Sequence, residues 1–345
     1  MNEGDLMATV KEIAQAAGCS PSTVSIVLRG DAEKRKISEE TVKKVLDTAE
    51  ALGYQPNIAA RSLRNGVGND DLQIAMFWAQ DFRASMMIRF WDGLRLALEG
   101  GQRNVRLLIV PYTNGHLKEA RTLTRQSDCH GAIICNASQE DLDFLENNTL
   151  PIPVVLYNRT CSRYCSVNVD DVYMGALAAN ALLHNGCQTA AILTGESVFT
   201  GMQMRNDGFL VEGRKHGLQI TEPIICENNI SGGYNATHDI LLNHGEGFLV
   251  DGIFCSSSAI AHGAIRAFSE AGIAAHNMPK LIAIGNGVPD QDRYCVPSLS
   301  VIHMPMEEMA KECLSMLLQL LTGQLRDPQS ILLQPKYIAR ESCPK

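Results

Sequence analysis

The chain has 345 residues, a formal net charge of −8 at pH 7, and 45% hydrophobic against 20% charged residues. These values are ordinary for a globular protein of two or three domains. No apolar run approaches the roughly 20 residues that a membrane span needs, which excludes a transmembrane protein. The first residues are acidic and polar, unlike a signal peptide, so the eleven cysteines indicate reduced thiols and we expect a cytoplasmic protein.

The stretch from residue 9 to residue 28 is predicted to form two short helices joined by a tight turn. Thr9 can cap the first helix, and Gly18 can end it in the left-handed conformation. Ser20 can then cap a second helix that has Pro21 at its first position. This pattern indicates a helix-turn-helix, whose second helix can enter a DNA major groove. Taken alone, it is equally compatible with a structural helical hairpin.

Two further helical segments follow. Ser38 can cap a third helix from Glu39 to Leu52, and Gly53 can end it. A short segment from Ile58 to Arg64 has little apolar face, so in isolation it predicts only a marginal linker helix. The core-facing side chains expected in the third helix are Val42, Val45, Leu46, Ala49 and Leu52.

These segments resemble the DNA-binding headpiece of the lactose-repressor (LacI/GalR) family of bacterial transcription regulators. The resemblance covers residues 9–64 and rests on ThrValSer in the second helix, IleSerGluGluThrValLysLysValLeu, LeuGlyTyrGlnProAsn and AlaAlaArgSerLeuArg, in that order. It implies that Ile58 to Arg64 is a hinge helix that orders on DNA and wedges Leu63 into the minor groove. The residues it implies for DNA contact are Thr9, Pro21, Ser22, Thr23, Ser25, Ile26, Arg29, Asn57, Ala60 and Leu63.

The predicted headpiece departs from the family in its charge and in one base-reading position. Residues 1–66 carry nine basic and nine acidic side chains, so we expect modest non-specific DNA binding. Ile26 stands where family members often place an arginine, and it offers only apolar contact, for instance to a thymine methyl. Operator specificity is therefore expected to differ from the commoner family pattern, with more discrimination at the central step read by Ala60 and Leu63.

From Gln73 onward, short apolar runs alternate with longer amphipathic segments, which predicts parallel sheets covered by helices on both faces. About 270 residues are too many for one such sheet, so two lobes are expected. The predicted strands are Ile74–Trp78, Val105–Val110, Ala132–Cys135, Val154–Tyr157, Ala190–Leu193, Ile253–Cys255 and Leu281–Ile284. The predicted helices are Ser85–Glu99, Met174–Asn185, Gln203–His216, Gly233–His244, Ala259–Ala271 and Met306–Leu321.

This second part resembles the effector-binding core of the same family, which is similar to a periplasmic sugar-binding protein. The fold class is therefore predicted as α/β, with an N-terminal helix-turn-helix headpiece and two doubly wound α/β lobes. The expected boundaries are 1–56 for the headpiece, 57–72 for hinge helix and linker, 73–169 with 304–332 for the N-terminal lobe, and 170–303 with 333–345 for the C-terminal lobe. Three crossings are implied, near Val169–Asp171, His303–Met306 and Leu332–Pro335.

Ligands of open α/β sheets bind at the carboxyl ends of strands, so residues just past each strand are candidates for an effector site. Arg205 matches a family arginine that hydrogen-bonds effector oxygens, although a surface salt bridge is the alternative. Other positions depart from the family, and Trp78 is proposed to supply the stacking that Ile230 cannot, although an ordinary core aromatic is an equal alternative. The candidate effector residues are Trp78, Gln80, Asn158, Arg205, Ile230, Ser257, Ser258, Gly287 and Met304.

The departures remove carboxylates that a neutral polyol would use. Asn158 stands where an aspartate is usual, Ser257 and Ser258 replace an Asn-Asp pair, and Gly287 lies where the family has an acidic residue. An anionic or less hydroxylated ligand should then bind at least as well as a plain sugar. The departures also leave open that the pocket has lost its ligand and that the regulator answers to a protein partner.

Two rival classes of protein fit less well. An enzyme is disfavoured because the chain has no dinucleotide glycine motif, P-loop or nucleophile elbow. A solute-binding protein explains residues 73–345 but not 1–66. No cofactor is expected, and Cys161 with Cys165 makes a poor zinc pattern. The prediction is a homodimeric repressor whose partners are a palindromic double-stranded DNA operator and a small-molecule effector, a sugar or an anionic derivative, with no membrane contact.

Overall fold

The computed structural model describes residues 10–28, 32, 35–52, 72–81, 86–99, 104–124, 129–196, 200–244 and 250–345. Within these ranges, no helix has both the length and the apolar character that crossing a membrane would require.

The headpiece, residues 10–52, contains three described helices, α1 (Val10–Ala17), α2 (Pro21–Leu28) and α3 (Glu39–Ala51). Gly18 ends α1 with a φ of +63°, a conformation that costs glycine no Cβ clash. The helices share a small core made of Ile13, Ala14, Ala17, Val24, Val27, Val45 and Ala49. Two predicted core residues of α3 are not part of it, because Leu46 and Leu52 are 47% and 42% exposed.

The N-lobe is built on a parallel six-stranded sheet with strand order β12-β5-β4-β3-β1-β2. Its strands are β1 (Leu72–Ala79), β2 (Val105–Tyr112), β3 (Gly131–Cys135), β4 (Val154–Tyr157), β5 (Cys165–Val169) and β12 (Ser330–Leu333). Its helices are α4 (Met87–Glu99), α5 (Arg121–Thr124), α6 (Gln139–Asn147) and α12 (Met306–Leu321), with a 3₁₀ turn at Leu117–Glu119.

The C-lobe is built on a seven-stranded sheet with order β13-β11-β10-β9-β6-β7, and β8 also pairs with β6. Its strands are β6 (Thr189–Thr194), β7 (Gln219–Ile220), β8 (Ile224–Ile225), β9 (Gly252–Cys255), β10 (Lys280–Gly285), β11 (Ser300–His303) and the antiparallel β13 (Lys336–Ile338). Its helices are α7 (Asp171–His184), α8 (Thr200–Lys215), α9 (Ile230–His244), α10 (Ser258–Glu270) and α11 (Pro289–Tyr294), with a 3₁₀ turn at Ala275–Asn277.

The chain passes between the two sheets three times, after β5, after β11 and after β12. The fold class is confirmed as a headpiece followed by two α/β lobes. All seven predicted strands are present within two residues of their predicted ends.

The strand at Cys165–Val169 is central to the fold but was absent from the predicted strands. All five of its residues are buried although two of them are polar. The hydroxyl groups of Ser166 and Ser330 lie 3.0 Å apart, and the Asn168 amide donates to both at 3.0 Å. Ser330 belongs to β12 and is 162 residues from Asn168 in the sequence. Because this partner is so distant, the sequence around Ser166 and Asn168 gave no sign of a buried strand.

Helices α7 and α8 of the C-lobe pack backbone against backbone. A Cβ on Gly175 would lie 1.9 Å from the Arg205 carbonyl oxygen, and one on Gly208 would lie 2.1 Å from the Val172 carbonyl oxygen. Only glycine fits at these two points. The close approach brings Asp171, at the start of α7, beside Arg205 on α8.

Candidate functional site

A cavity lies between the lobes at the carboxyl ends of their strands, where open α/β sheets bind ligands. Asn136, Asn158, Ser256 and Asn286 line it, and each directly follows a strand, β3, β4, β9 and β10 in turn. The lining residues in the described ranges are Met86, Asn136, Tyr157, Asn158, Arg159, Met202, Arg205, Asn228, Ser256, Asn286 and Met304. Both lobes therefore contribute to one polar site.

Two of the lining asparagines adopt a backbone conformation that is uncommon for residues with a Cβ. The φ angles of Asn136 and Asn158 are +65° and +51°. Asparagine is among the residues that tolerate this left-handed region best, and such outliers concentrate at binding sites. The turns after β3 and β4 thus hold two amide side chains at the cavity wall.

The cavity volume is about 20 Å³, room for about one water molecule. A wider groove of about 800 Å³ adjoins it and shares Asn158 and Arg159 with it. Pockets that enclose small ligands are usually about 300–1,000 Å³. The lobes are therefore nearly closed on each other here, and a ligand of ordinary size needs them to move apart or must extend into the groove.

The chemistry of the lining is cationic and amide-rich. Among the described residues that line it are four asparagines and two arginines, and none of these lining residues carries a carboxylate. Arg205 is 4% exposed, and its Nε donates to Asp171 Oδ1 at 2.7 Å. Within the described part of the chain, the other guanidinium nitrogens of Arg205 make no hydrogen bond. Since arginine has five N–H donors, most of its donor capacity is available at the cavity.

Three of the predicted effector residues line the cavity, namely Asn158, Arg205 and Met304. Others lie one or two positions from a residue that does. Ser256 lines it in place of Ser257 and Ser258, Asn286 in place of Gly287, and Asn228 in place of Ile230, which is 53% exposed at the start of α9.

The two predicted serines are engaged elsewhere in the C-lobe. Ser257 caps α10 and donates to Asn228 Oδ1 at 2.6 Å. Ser258 is 1% exposed, and its hydroxyl lies 3.2 Å from the Ile284 carbonyl oxygen and 3.1 Å from Asp292 Oδ2. Both therefore support the cavity wall without lining it.

Trp78 does not take the proposed stacking position at the cavity. It is 4% exposed in the N-lobe core, with ring centroids 5.6 Å from Phe90 and 6.4 Å from Tyr157. Gln80 is exposed, and its backbone N–H donates to the Tyr112 carbonyl at 2.8 Å. Neither residue lines the cavity, because β1 carries Trp78 into the core before it reaches the interlobe face.

Sequence reasoning missed several lining residues. Asn136 was recognisable, because it immediately follows a predicted strand and the carboxyl-end rule applies to it. Arg159 follows Asn158 at the end of β4 and could have been found in the same way. Met86 and Met202 carry no such signal, since apolar residues at helix starts are common in cores.

A buried arginine of the N-lobe lies at the junction of the two lobes, next to the turn that carries Asn286. Arg89 on α4 is 3% exposed and pairs with Glu307 through two hydrogen bonds of 2.6 and 2.7 Å. Burial raises the pKa of the Glu307 carboxyl, but the hydrogen bonds and positive charge of Arg89 outweigh it, so the pKa is lowered overall.

Potential metal ligands cluster beside this pair. In the described ranges, His303, Glu307 and Glu308 have ligand atoms within 4.8 Å of one another. Burial and the charge of Arg89 lower the pKa of His303, which favours its neutral form. Because Arg89 already occupies both oxygens of Glu307 and neutralises its charge, we assign no metal to this group.

A third buried pair lies inside the C-lobe, behind the cavity wall. His262 Nε2 and Asp292 Oδ1 are 2.9 Å apart. Burial lowers the pKa of His262, but hydrogen bonds to Asp292 and Cys295 outweigh it and raise the pKa to about 9. The imidazole is therefore protonated at neutral pH, and it holds Asp292 where the carboxylate also contacts Ser258.

The headpiece presents the second helix of its helix-turn-helix to solvent. Ser20 accepts a hydrogen bond from the Thr23 N–H at 3.0 Å, which caps α2, and Val24 and Val27 are buried. Pro21 and Ser22 are exposed, and Thr23, Ser25 and Ile26 are half-buried on the remaining face. The other predicted DNA contacts, Thr9, Arg29, Asn57, Ala60 and Leu63, lie outside the described residues, as does the predicted hinge helix.

Comparisons with known proteins agree with this architecture. Residues 9–57 match the profile of bacterial regulatory proteins of the lacI family, and residues 179–343 match that of a periplasmic binding protein-like domain. The HTH-type transcriptional repressor PurR of Pasteurella multocida is 27% identical over 97% of this chain and 98% of its own length. The PurR repressor of Photorhabdus laumondii is also 27% identical, over 97% of each chain.

Solved structures are similar as well. A LacI family transcription regulator from Clostridium acetobutylicum is 30% identical, covers 78% of this chain and 100% of its own, and has a TM-score of 0.74. The lac repressor dimer bound to operator and the anti-inducer ONPF is 20% identical, covers 98% of this chain and 100% of its own, and has a TM-score of 0.69. At 20% identity, the similarity to the lac repressor supports the fold alone.

Proposed function

The chain belongs to the lacI family of bacterial regulatory proteins and is a DNA-binding transcriptional repressor with an effector-binding domain, and on that premise we propose how its interlobe cavity works. A small-molecule effector, a sugar derivative that carries a phosphate or carboxylate, binds between the lobes and changes the affinity of the headpieces for operator DNA. The observation that supports this ligand class is the described lining of the cavity, in which two arginines and four asparagines occur without a carboxylate.

The roles of the lining residues follow from their donors. Arg205 binds the anionic group, since a guanidinium fork matches the two oxygens of a carboxylate or phosphate. The Oδ1 atoms of Asn158, Asn228 and Asn286 already accept hydrogen bonds from protein groups, so the amide N–H groups are what these side chains can offer to ligand hydroxyls. Asp171 keeps the Arg205 side chain in place through Nε and leaves the terminal nitrogens for the ligand.

A thermal-shift screen of the purified chain tests this proposal, because a ligand of the folded state raises the melting temperature. Sugars, the matching sugar phosphates, nucleosides and small carboxylates are compared. We expect a phosphorylated or carboxylated compound to give the largest shift, and Arg205→Ala to abolish it. Arg214→Ala, an exposed arginine on the same helix, should keep the shift. Equal shifts from neutral and anionic members of a pair would contradict the anionic class.

A second candidate is a repressor whose cavity no longer takes a small molecule and which answers to a protein partner. The cavity volume of about 20 Å³ favours it. It predicts a blank thermal-shift screen together with intact DNA binding.

DNA recognition is proposed to use two headpieces on a palindromic operator, because symmetric half-sites require a symmetric dimer. The N-lobe has apolar side chains suited to the contact between protomers. Those exposed by more than a third on α4 and the edge strand β2 are Ile88, Trp91, Leu96, Leu108 and Ile109. Sedimentation should show a dimer, and Leu108→Asp with Ile109→Asp should dissociate it.

Selection from random DNA with the purified dimer gives the operator. We expect a palindrome in which Ile26 contributes to an A·T preference through the thymine methyl. Ile26→Arg should move the preference at one base pair of each half-site toward G·C, by about 1–3 kcal/mol. An unchanged sequence preference would show that Ile26 does not reach the bases.

A further inference from the structure

Arg89 uses its whole guanidinium group at the junction of the two lobes. Nε and Nη2 donate to the Glu307 carboxylate at 2.6 and 2.7 Å, and Nη2 also donates to the Met304 carbonyl at 2.9 Å. Nη1 donates to the carbonyls of Gly285 at 2.8 Å and Gly287 at 3.5 Å. These five contacts account for all five N–H donors of an arginine.

The acceptors belong to three different parts of the core. Glu307 lies in the first turn of α12 in the N-lobe, and Met304 lies in the crossing between β11 and α12. Gly285 ends β10 of the C-lobe, and Gly287 lies two residues further on. One buried side chain therefore ties the N-lobe to the C-lobe through main-chain carbonyls.

The N-lobe half of this arrangement is tightly packed. A Cβ on Gly93 of α4 would lie 2.3 Å from the Glu307 carbonyl oxygen, so α4 and α12 are in direct backbone contact. Arg89 and Glu307 thus stay together when the lobes move. The contacts that a relative movement of the lobes breaks are those to Gly285 and Gly287.

The same two carbonyls flank a residue of the effector cavity. Asn286 lines the cavity, and its Oδ1 lies 3.4 Å from the backbone N–H of Ser258. Holding Gly285 and Gly287 from the N-lobe side therefore fixes the position of Asn286 at the cavity wall. Gly287 is also one of the positions where an acidic residue is expected from the family resemblance and is absent.

We propose that Arg89 is an interlobe latch, which holds the Gly285–Gly287 turn and its Asn286 against the N-lobe and so favours the closed arrangement before any effector binds. Opening the lobes removes two acceptors from a buried cation, which makes the open state less populated. The cavity volume of about 20 Å³ is what such a closed arrangement produces. Arg89 acts through the turn and does not line the cavity, so it is a positioning residue.

Hydrogen exchange followed by mass spectrometry tests the latch on the full chain. In the double variant Arg89→Met with Glu307→Met, both charges are removed together, so no charge is left buried and unpaired. We expect exchange in peptides that contain the cavity walls at Asn136, Asn158 and Asn286 to become at least about tenfold faster, the factor that loss of hydrogen bonds to a charged group implies.

Two further variants separate the latch from a structural role. Glu307→Gln keeps the donors of Arg89 to Gly285 and Gly287 but leaves its charge without a partner, so any faster exchange should be spread over the whole chain and not concentrated at the cavity walls. Arg95→Met removes an exposed arginine of the same helix and should change nothing there. Faster exchange limited to α4 and α12 in the double variant would overturn the latch and leave a local packing role.

A melting curve of each variant checks whether the fold is retained. The effect of the latch on effector and operator binding rests on the proposed function, but this experiment uses neither effector nor DNA. Its failure would therefore remove the latch and leave the effector proposal standing, whereas a blank effector screen would leave the latch standing.

Discussion

Two buried arginines approach the interlobe cavity from opposite lobes and are used in different ways. Arg89 comes from the N-lobe and is 3% exposed, and all of its N–H donors form hydrogen bonds to protein acceptors. Arg205 comes from the C-lobe, is 4% exposed, and within the described ranges makes one hydrogen bond, to Asp171. The two arginines are equally buried and differ in the number of donors already satisfied, which is the reason we propose Arg205, and not Arg89, for ligand binding.

The carboxylates that pair with the two arginines differ in the number of oxygens that they use. Glu307 meets Arg89 with both oxygens, a bidentate geometry that fixes the guanidinium plane. Asp171 meets Arg205 with one oxygen at Nε, which orients the side chain and leaves its end available. The comparison predicts that disrupting the first pair costs mainly stability and disrupting the second costs mainly binding.

The largest effect is expected for Glu307→Ala, which leaves Arg89 buried without a counter-charge. Breaking one partner of a buried pair costs about 3–5 kcal/mol of unfolding free energy. Denaturant unfolding measures it, with the neighbouring exposed Glu308→Ala as the matched control. Because the folded-state pKa of Glu307 is lowered, its contribution is present at neutral pH and is lost as the pH falls. A loss below about 1 kcal/mol would remove the distinction between the two arginines.

Disrupting the His262–Asp292 pair inside the C-lobe should lower the free energy of unfolding and leave the contact between the two lobes unchanged. The folded pKa of His262 is raised from 6.5 to about 9, so its stabilisation is fully present below pH 6.5 and is lost as the pH rises through about 9. The advantage of the parent chain over His262→Gln should fall by about 1–3 kcal/mol over that range. Urea unfolding at several pH values measures it. An advantage that grows with pH would show that His262 is neutral at pH 7.

A smaller change in stability is expected for Asp171→Asn. Asparagine keeps an acceptor for Arg205 but loses the charge, and hydrogen bonds to charged groups are worth about 1.5–3 kcal/mol. We expect a loss of about 1–2 kcal/mol, together with weaker binding of the ligand found in the thermal-shift screen. Unfolding and titration on the same preparation compare the two. A loss as large as that for Glu307→Ala, with binding unchanged, would reverse the assignment.

The smallest effect is expected for Arg95→Met on α4, six residues from Arg89. Arg95 pairs with Glu99, and the two side chains are 52% and 57% exposed. Exposed pairs of this kind are worth about 0.3–0.5 kcal/mol. The unfolding free energy should therefore change by no more than this. A larger loss would mean that α4 as a whole, and not the buried guanidinium of Arg89, carries the effect.

The sequence was most informative about the headpiece and the element types. Gly18, Ser20 and Pro21 mark the turn of the helix-turn-helix, and each acts locally, within a few residues of itself. The strand ends were predicted well enough to locate the cavity at β3, β4, β9 and β10. In three loops, however, the predicted residue lies one or two positions from the residue that lines the cavity. Ser257 was predicted, for example, whereas Ser256 lines the cavity.

Hydrophobic period and capping residues were thus sufficient for the helices of the headpiece, the alternation of strands and helices, and the edge of the sheets where the candidate site lies, whereas the DNA-binding role needed the family resemblance. Only the tertiary structure decided which side chain after each strand faces the other lobe, because a shift of one residue turns a side chain to the opposite face. It also decided the role of Arg89, which in the sequence is an unremarked residue of an amphipathic helix. Its partners lie 196 to 218 residues further along the chain, and no local pattern brings them together.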